Sequence, residues 1–506
     1  MKNNFKLINN ITGLLIFVIA TTVYIITSEP TVSFWDCGEY ISTAYKLQVG
    51  HPPGAPLFQM LGRIFSLFAN GNVSLVARMI NTMSAIASGL TILFLFWTIT
   101  MLGEKIIKIK GEELNKVNTI IVIGSSIIGS LVYTFSDSFW FSAVEGEVYA
   151  MSSFFTAITF WSILKWEKIA DQNYNYKWLI FIAFLIGLSI GVHLLNLLAI
   201  PAIAMIFYFK KCKKASYKGV IGTIILSFLL LAFIMDGIIP EVLNLLAHTE
   251  IIFVNKFGLP FNSGTLFFAL LIIIILITGI RFTHHPNKFN LIIFITLSFL
   301  LILLILSAAS SITNLFIRIF TTISIIYVIW LLRNNKPALN TILLSIAFLL
   351  IGYSSFLMLV VRANTGTPIN EGNPSNAISL LSYLNREQYG DWPLLYGPYY
   401  NAPLNPEKPY LDGKPIYEKD EKTKKYIIID KQEKSIPNYA PEYCTYFPRM
   451  WSQQENHIKE YKIWAGIKND PNNKKIPTFG QNLRYLFLYQ LGHMYFRYFM
   501  WNFSGK

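Results

Sequence analysis

ITGLLIFVIATTVYIIT, residues 11–27, runs directly into SEPTVSFWDCGEY, residues 28–40. The first segment is uncharged, apolar and long enough for a bilayer-crossing helix, and Lys2 and Lys6 precede it. It is too long for a typical signal-peptide core. Thr-Ser-Glu-Pro follows it instead of a small-residue cleavage site, so it reads as a retained first span. The second segment brings two carboxylates, Asp36 and Glu39, to one membrane surface.

Composition places the rest of the chain in lipid as well. Hydrophobic residues make up 53% of the 506 and charged residues only 14%, about half the charged share of a soluble globular protein. The formal net charge of +14 lies in short connections between apolar runs rather than in a basic stripe with interleaved aromatics. That pattern is a topology signal and excludes nucleic acid as a partner. The expected spans are 11–27, 79–102, 119–135, 149–165, 178–192, 197–209, 219–235, 265–280, 290–307, 312–331 and 339–361, about eleven in all. The short pair within 178–209 is also compatible with one re-entrant unit. With the N-terminus inside, the inner segments hold eighteen Lys and Arg, from Lys2 through the Lys105–Lys116 and Lys210–Lys218 groups (Lys213 among them) to Arg333 and Lys336. The outer loops before residue 362 hold only Lys46, Arg63 and Lys256, with Arg78 at a boundary. Nine acids fall outside: Glu29, Asp36, Glu39, Asp137, Glu145, Glu147, Asp236, Glu241 and Glu250.

The fold expected is therefore an all-α polytopic membrane domain over 1–361, followed by an α+β extracytoplasmic region over 362–506. In that region Ala377 to Gln388 reads as a capped amphipathic helix and Lys414 to Asp430 as a hairpin with a charged tip. Residues 451–463 form a further helix. Leu483–Phe503, crowded with Tyr, Phe and Trp, is an aromatic helix suited to the headgroup interface. Three cysteines give no CxxC pair; Cys37 and Cys444 share the outer side and are able to pair, which count alone does not decide.

Asp36 and Glu39 are three residues apart and share one face of a helical turn. Such a pair serves as a general base, or holds a cation against a phosphate leaving group; the plain alternative is a helix N-terminus favouring acids. His51 precedes a rigid Pro52-Pro53-Gly54 turn, positioned for substrate contact or for an ordinary polar contact. Glu145 and Glu147 flank Gly146 at the mouth of a span, where carboxylates are costly unless paired, hydrated or functional. His193 ends another apolar run. Arg78 and Arg362 sit at membrane boundaries, suited to phosphate or to snorkelling, and Arg318 lies within a span. No Walker sequence, His-Glu-x-x-His motif or readable triad is present, which argues against ATP-driven transport and zinc proteolysis.

FWDCGEYISTAYKLQVGHPPGAPLF (34–58), AVEGEVYAMSSFF (143–155), GVHLLN (191–196) and RANTGTPINEGNPSN with SYLNREQYGDWPLLYGPYY (362–400) together resemble a Bacteroidetes-type multi-pass membrane family. That family is related to the animal transmembrane protein O-mannosyltransferases, within the GT-C class of glycosyltransferases. The resemblance implies transfer of a sugar, mannose or a similar hexose, from a polyprenyl-phosphate donor to Ser or Thr of an exported protein. It implies Asp36 as base with Glu39 as partner; no cofactor beyond the donor is implied, and a divalent cation stays open. Charge and depth make Arg78, His193 and Arg362 candidates for the donor phosphate, with His51, Glu145 and Glu147 as further substrate contacts. The location expected is the plasma (inner) membrane, with the N-terminus cytoplasmic and the C-terminal region periplasmic. Members of the family commonly continue beyond the aromatic segment, whereas this sequence stops soon after Asn502, as a short form or a truncated frame. The competing readings are a transporter or flippase of a lipid-linked substrate, whose acids would bind cations or protons, and a silent assembly subunit. Pseudo-symmetric halves with broken helices would mark the transporter; acids clustered in loops favour the enzyme.

Overall fold

The structure is a computed structural model that describes residues 2–212, 214–309, 312–332, 334–390, 392–468 and 476–504. Lys213 and Arg333, counted above among the inner cations, and the final Gly505 and Lys506 lie outside the described residues. The chain divides into two units, Met1–Arg386 and Glu387–Lys506.

The first unit is helical throughout. It begins with α1 (Lys2–Ile26), α2 (Cys37–Lys46), α3 (Pro56–Ser66), α4 (Val76–Ile109), α5 (Lys116–Thr134) and α6 (Asp137–Ala143). Next come α7 (Val148–Ile169), α8 (Lys177–Ile190), α9 (Ile200–Lys211), α10 (Tyr217–Ala232), α11 (Ile239–Ile251) and α12 (Ser263–His284). It ends with α13 (Lys288–Ser307), α14 (Ile312–Leu332), α15 (Lys336–Tyr353), α16 (Leu357–Ala363) and α17 (Ala377–Leu384). Among the described residues, eight helical stretches are long and apolar enough to cross a bilayer. Of the other expected spans, 149–165 falls in α7, 178–192 in the 14-residue α8 and 312–331 in α14. Helix α7 is less apolar because Ser152, Thr159 and Ser162 are buried among its hydrophobic residues; it packs against α4 and α8.

One expected boundary moves. The span placed at 219–235 continues as helix from Tyr217 to Lys256. Pro240 has no N–H and ordinarily breaks a helix. Here it falls at the start of α11, just after a π-helical turn at Phe233–Ile238. A widened turn absorbs such a break without ending the helix.

Small residues set the closest helix contacts, as expected where lipid supplies no hydrophobic drive. A β-carbon on Gly352 of α15 would meet the Leu188 backbone nitrogen of α8 at 2.5 Å, and one on Gly187 would collide with the Leu349 carbonyl. The C-terminal ends of α4, α7 and α9 are tied by ion pairs: Lys105 with Glu167, Lys168 with Glu104 at 2.5 Å, and Lys210 with Asp171 just beyond α7 at 2.6 Å. Arg318, only 6% exposed, does not snorkel. It forks onto Glu241, donating through Nη1 and, at 3.1 Å, through Nη2. It also donates to Asn314 at 2.6 Å and to the Ile305 carbonyl at 2.9 Å. Glu250, another expected loop acid, is fully buried and accepts from the backbone of Asn262 and Thr265 at the start of α12.

The division between units falls after Arg386 rather than at 361/362. Residues 362–386 belong to the first unit because their backbone and side chains bond to its first loop. The helix expected at 377–388 is α17, which ends at Leu384 and is capped by Asn376 in a capping box. In the second unit, strands pair antiparallel: β1 (Tyr396–Pro398) with β6 (Cys444–Tyr446), β2 (Tyr410–Leu411) with β5 (Ile436–Pro437), and β3 (Ile416–Asp420) with β4 (Lys425–Asp430), the last being the expected hairpin. Helix α18 (Glu455–Ala465) and a helical stretch through α19 (Phe479–Tyr485), a π-helical segment (Leu486–Phe496) and α20 (Arg497–Met500) follow. Met450, Tyr461, Ala465 and Tyr485 form the small core of this unit.

Candidate active site

Asp36 is the N-cap residue of α2, yet its side chain makes no capping bond and is 58% exposed. An acid there without a backbone partner is free for other work, which weighs against the plain capping alternative. Glu39 lies in the first turn of the same helix. After α2 the chain turns back through Leu47 in left-handed conformation (φ 48°) and delivers His51 to Glu39. The His51 backbone N–H donates to Glu39 Oε1 at 2.5 Å and its ring Nδ1 meets Oε2 at 2.9 Å. A β-carbon on Gly50 would lie 2.5 Å from Glu39 Oε1 and would displace that carboxylate from its bond to His51. The other ring nitrogen, His51 Nε2, is 3.9 Å from Asp36 Oδ2. Tyr40, on α2, packs its ring edge against His51 and Phe58, at centroid distances of 5.5 and 5.4 Å.

The Pro-Gly turn is held from far along the chain. Tyr383 of α17 donates to the Gly50 carbonyl at 2.5 Å. The Val49 N–H donates to the Ile369 carbonyl at 3.1 Å, and the Glu371 N–H to the Val49 carbonyl at 3.0 Å. Arg362 donates to the carbonyls of Leu47 at 2.5 Å and Lys46 at 3.1 Å. Its guanidinium is thus engaged in closing the C-terminal end of α2.

The second acidic cluster lies beside the first. Glu145 and Glu147 are both buried. Glu147 caps α7, its Oε2 accepting from the Val148 N–H at 3.1 Å. The Ser33 hydroxyl and the Cys37 thiol, which bracket Asp36 in sequence, lie beside the Glu145 carboxyl. Cys37 is a buried free thiol; Cys212, exposed, and Cys444, half-buried, are free as well. Asn81 of α4 donates to the carbonyls of Glu29 and Thr31. His193 is half-buried beside Tyr149, ring centroids 5.4 Å apart, and its Nδ1 accepts from the Leu195 N–H at 3.2 Å. Arg78 is exposed in the first turn of α4, and its guanidinium has no side-chain partner among the described residues.

The electrostatics separate the acids into two kinds. Burial opposes charge on Glu39, but the ring and backbone hydrogen bonds from His51 outweigh it and hold its pKa below the usual carboxylate range. His51 is raised, first by its bond to Glu39, against burial, with Glu39, Asp36 and Glu371 adding negative potential. Glu147 goes the other way: burial, then the nearby Asp36 and Glu145 charges, push it up to about 7 against the Val148 bond. Burial also raises Glu145, and it lowers His193 with help from Arg386. Carboxylates pushed in opposite directions at one place are a signature of acid–base sites.

Sequence reasoning missed Glu371, Tyr40, Asn81 and Tyr383. For Glu371 and Tyr383 the available signal was the 362–400 motif, which marked the stretch without assigning residues. Tyr40 and Asn81 read as ordinary helix positions.

Fold and site together define a multi-pass membrane protein with a carboxylate- and histidine-bearing site at one end of its helices. Residues 36–216 match the protein O-mannosyl-transferase TMEM260 N-terminal domain, a segment that begins at Asp36 and includes every candidate site residue except Arg362. Over this part the chain is related to the animal O-mannosyltransferases. It is 28% identical over 200 residues to "Protein O-mannosyl-transferase tmem260" of Dictyostelium discoideum, covering 38% of this chain and 22% of the relative. It is 25% identical over 176 residues to "Protein O-mannosyl-transferase TMEM260" of Mus musculus, covering 35% of this chain and 22% of the relative. The match thus spans less than a quarter of the length of either relative. Residues 390–487 match a family of unknown function (DUF8416). No solved structure matches the chain.

Proposed function

We propose that this chain is a membrane glycosyltransferase that moves a sugar, mannose or a similar hexose, from a polyprenyl-phosphate donor to Ser or Thr of exported proteins. One observation carries the reading. An exposed, uncapped carboxylate, Asp36, stands 3.9 Å from a histidine whose other ring nitrogen is fixed by Glu39, in the segment similar to named O-mannosyl-transferases. The site lies at the ends of membrane helices, where a lipid phosphate and an aqueous acceptor meet.

In this mechanism Asp36 takes the proton from the acceptor hydroxyl as its oxygen attacks the anomeric carbon. The bond from that carbon to the phosphate oxygen breaks, and the electron pair leaves with the polyprenyl phosphate. Glu39 favours the protonated form of His51, which brings positive charge beside Asp36. Arg78 and His193 are the candidates for the donor phosphate. Arg362 is better used as a clamp on α2. The site faces the periplasm of the plasma (inner) membrane in this reading, with the N-terminus cytoplasmic.

The test replaces Asp36 by Asn in the producing cell and profiles glycans on exported proteins. Loss of O-linked hexose at wild-type protein level in the membrane is expected, a drop of at least about 100-fold for removal of a general base. Unchanged glycopeptides at that protein level would refute the assignment.

A further inference from the structure

The end of the first unit opposite the acidic site carries a cavity of about 320 Å³ between α4, α7 and α9. That volume lies at the small end of ligand pockets, which start at about 300 Å³. Its lining is graded along the helices. Met101 and Leu102 of α4 and Leu164 of α7 form the part nearer the bilayer centre. One turn further on come Lys105, Lys108 and Lys168, with Lys210 of α9 beside them. A Glu-Lys dipeptide stands near the end of both α4 and α7. The two cross-pair, Lys105 with Glu167, and Lys168 with Glu104 at 2.5 Å. In each pair the carboxylate is 15% exposed, against 48% for Lys105 and 44% for Lys168. The acids lie beneath and the ammonium groups lie outermost. Each pair uses one of an ammonium's three N–H donors and orders the lysine stem in advance. Lys108 meets no carboxylate at ion-pair distance among the described residues. Asp171, which pairs with Lys210, is exposed and outside the lining. Four lysines against two covered glutamates leave the lining positive.

We propose that this cavity holds the phosphate of an anionic membrane phospholipid, bound among Lys105, Lys108 and Lys168, with acyl chains running along Leu102 and Leu164. Three observations choose this ligand. The apolar part of the lining has no use for a free phosphate ion, and it opens at Leu102, which is exposed on a membrane-spanning helix. A zwitterionic headgroup would bring an ammonium group as well, and the two carboxylates that would accept from it are already engaged by lysines. Lysines that merely snorkel reach water singly. These converge on one cavity from three helices, as basic pockets for acidic headgroups do. A lipid bound there bridges α4 to α7 at the end opposite Asp36. Such a site is independent of the reaction assigned above.

The test titrates the delipidated full chain, in a neutral detergent, with phosphatidylglycerol and separately with phosphatidylcholine. Native mass spectrometry counts the bound lipid. Wild type is expected to take up its first phosphatidylglycerol at least about ten-fold more tightly than phosphatidylcholine. Lys108→Glu is expected to weaken that first event about 30-fold, two charge units at the strength usual beside an anionic lipid. Lys108→Gln should fall between the two, which keeps the result readable if charge reversal disturbs the helix end. Lys116, exposed at the same membrane end, lies outside the cavity, and Lys116→Glu should stay within about two-fold of wild type. Equal losses in Lys108→Glu and Lys116→Glu would reduce the effect to general surface charge and overturn the site. Equal affinity of wild type for the two lipids would overturn it as well. Inorganic phosphate bound as tightly as phosphatidylglycerol would overturn the lipid and leave a site for a free ion.

Discussion

At the scale of single residues the site is built on charge separation between Glu39 and His51. Glu39 is displaced downward and His51 upward, each chiefly through the bonds they share. The sign of the stability contribution follows from those directions. It is complete above the ordinary Glu pKa and below the ordinary His pKa, and it is lost as pH falls through the lowered Glu39 value or rises through the raised His51 value. The melting-temperature difference between wild type and Glu39→Gln is thus expected to peak at about pH 5 to 6. The alkaline limb of any catalytic activity should also move to lower pH in that variant, as His51 loses the partner that raises it. A difference independent of pH would mean that Glu39 contributes packing and no charge. Asp36, Glu39 and His51 were legible in the sequence because a three-residue spacing and a Pro-Pro-Gly turn are local signals. Glu371 was not, since the potential it adds at His51 comes from a strand-like contact with Val49 across more than three hundred residues.

At the scale of elements, side-chain pairing decided what hydropathy left open. An arginine in an apolar run is ambiguous from sequence: snorkelling and pairing give the same pattern of letters. The geometry resolves Arg318 as a fork onto Glu241, linking α14 to α11. Glu241 is partly exposed, but removing it leaves the charge of the buried Arg318 uncompensated. Glu241→Gln is expected to destabilise the chain by about 3 kcal/mol, while replacing both partners by apolar residues of similar volume recovers most of the loss. Urea or thermal unfolding in detergent micelles measures both; a double variant no better than the single would refute the pairing. Pro240 shows the opposite limit of sequence reading. A proline and a preceding glycine argue for a helix end, and only the π-helical turn at Phe233–Ile238 lets the helix run on.

For the whole molecule, hydrogen bonds fix how often the chain crosses. The first loop and the 362–371 segment bond to each other, so an even number of crossings separates them. Only seven of the long apolar stretches lie between them, which is odd. Helix α7 runs from Glu147 beside Asp36 to the Lys168–Glu104 pair, and α8 returns so that the Gly191 carbonyl meets the Leu57 N–H at 2.8 Å. Both therefore cross although neither meets the apolar criterion, and α14 completes an even count. Counted with α1, these helices number eleven, of which eight are long and apolar enough to cross a bilayer by themselves. Charge then sets which side Asp36 faces. The lysine-rich ends of α4, α7 and α9 gather at the end opposite the acids, and an excess of Lys and Arg marks the cytoplasmic side. An alkaline phosphatase fused after Gly258, which needs export to fold, is expected to be active, and one fused after Lys214 inactive, with a cytoplasmic fluorescent reporter giving the reverse. A reversed pattern would turn the site toward the cytoplasm, where exported acceptors are not met in transit, and would remove the basis for secreted substrates.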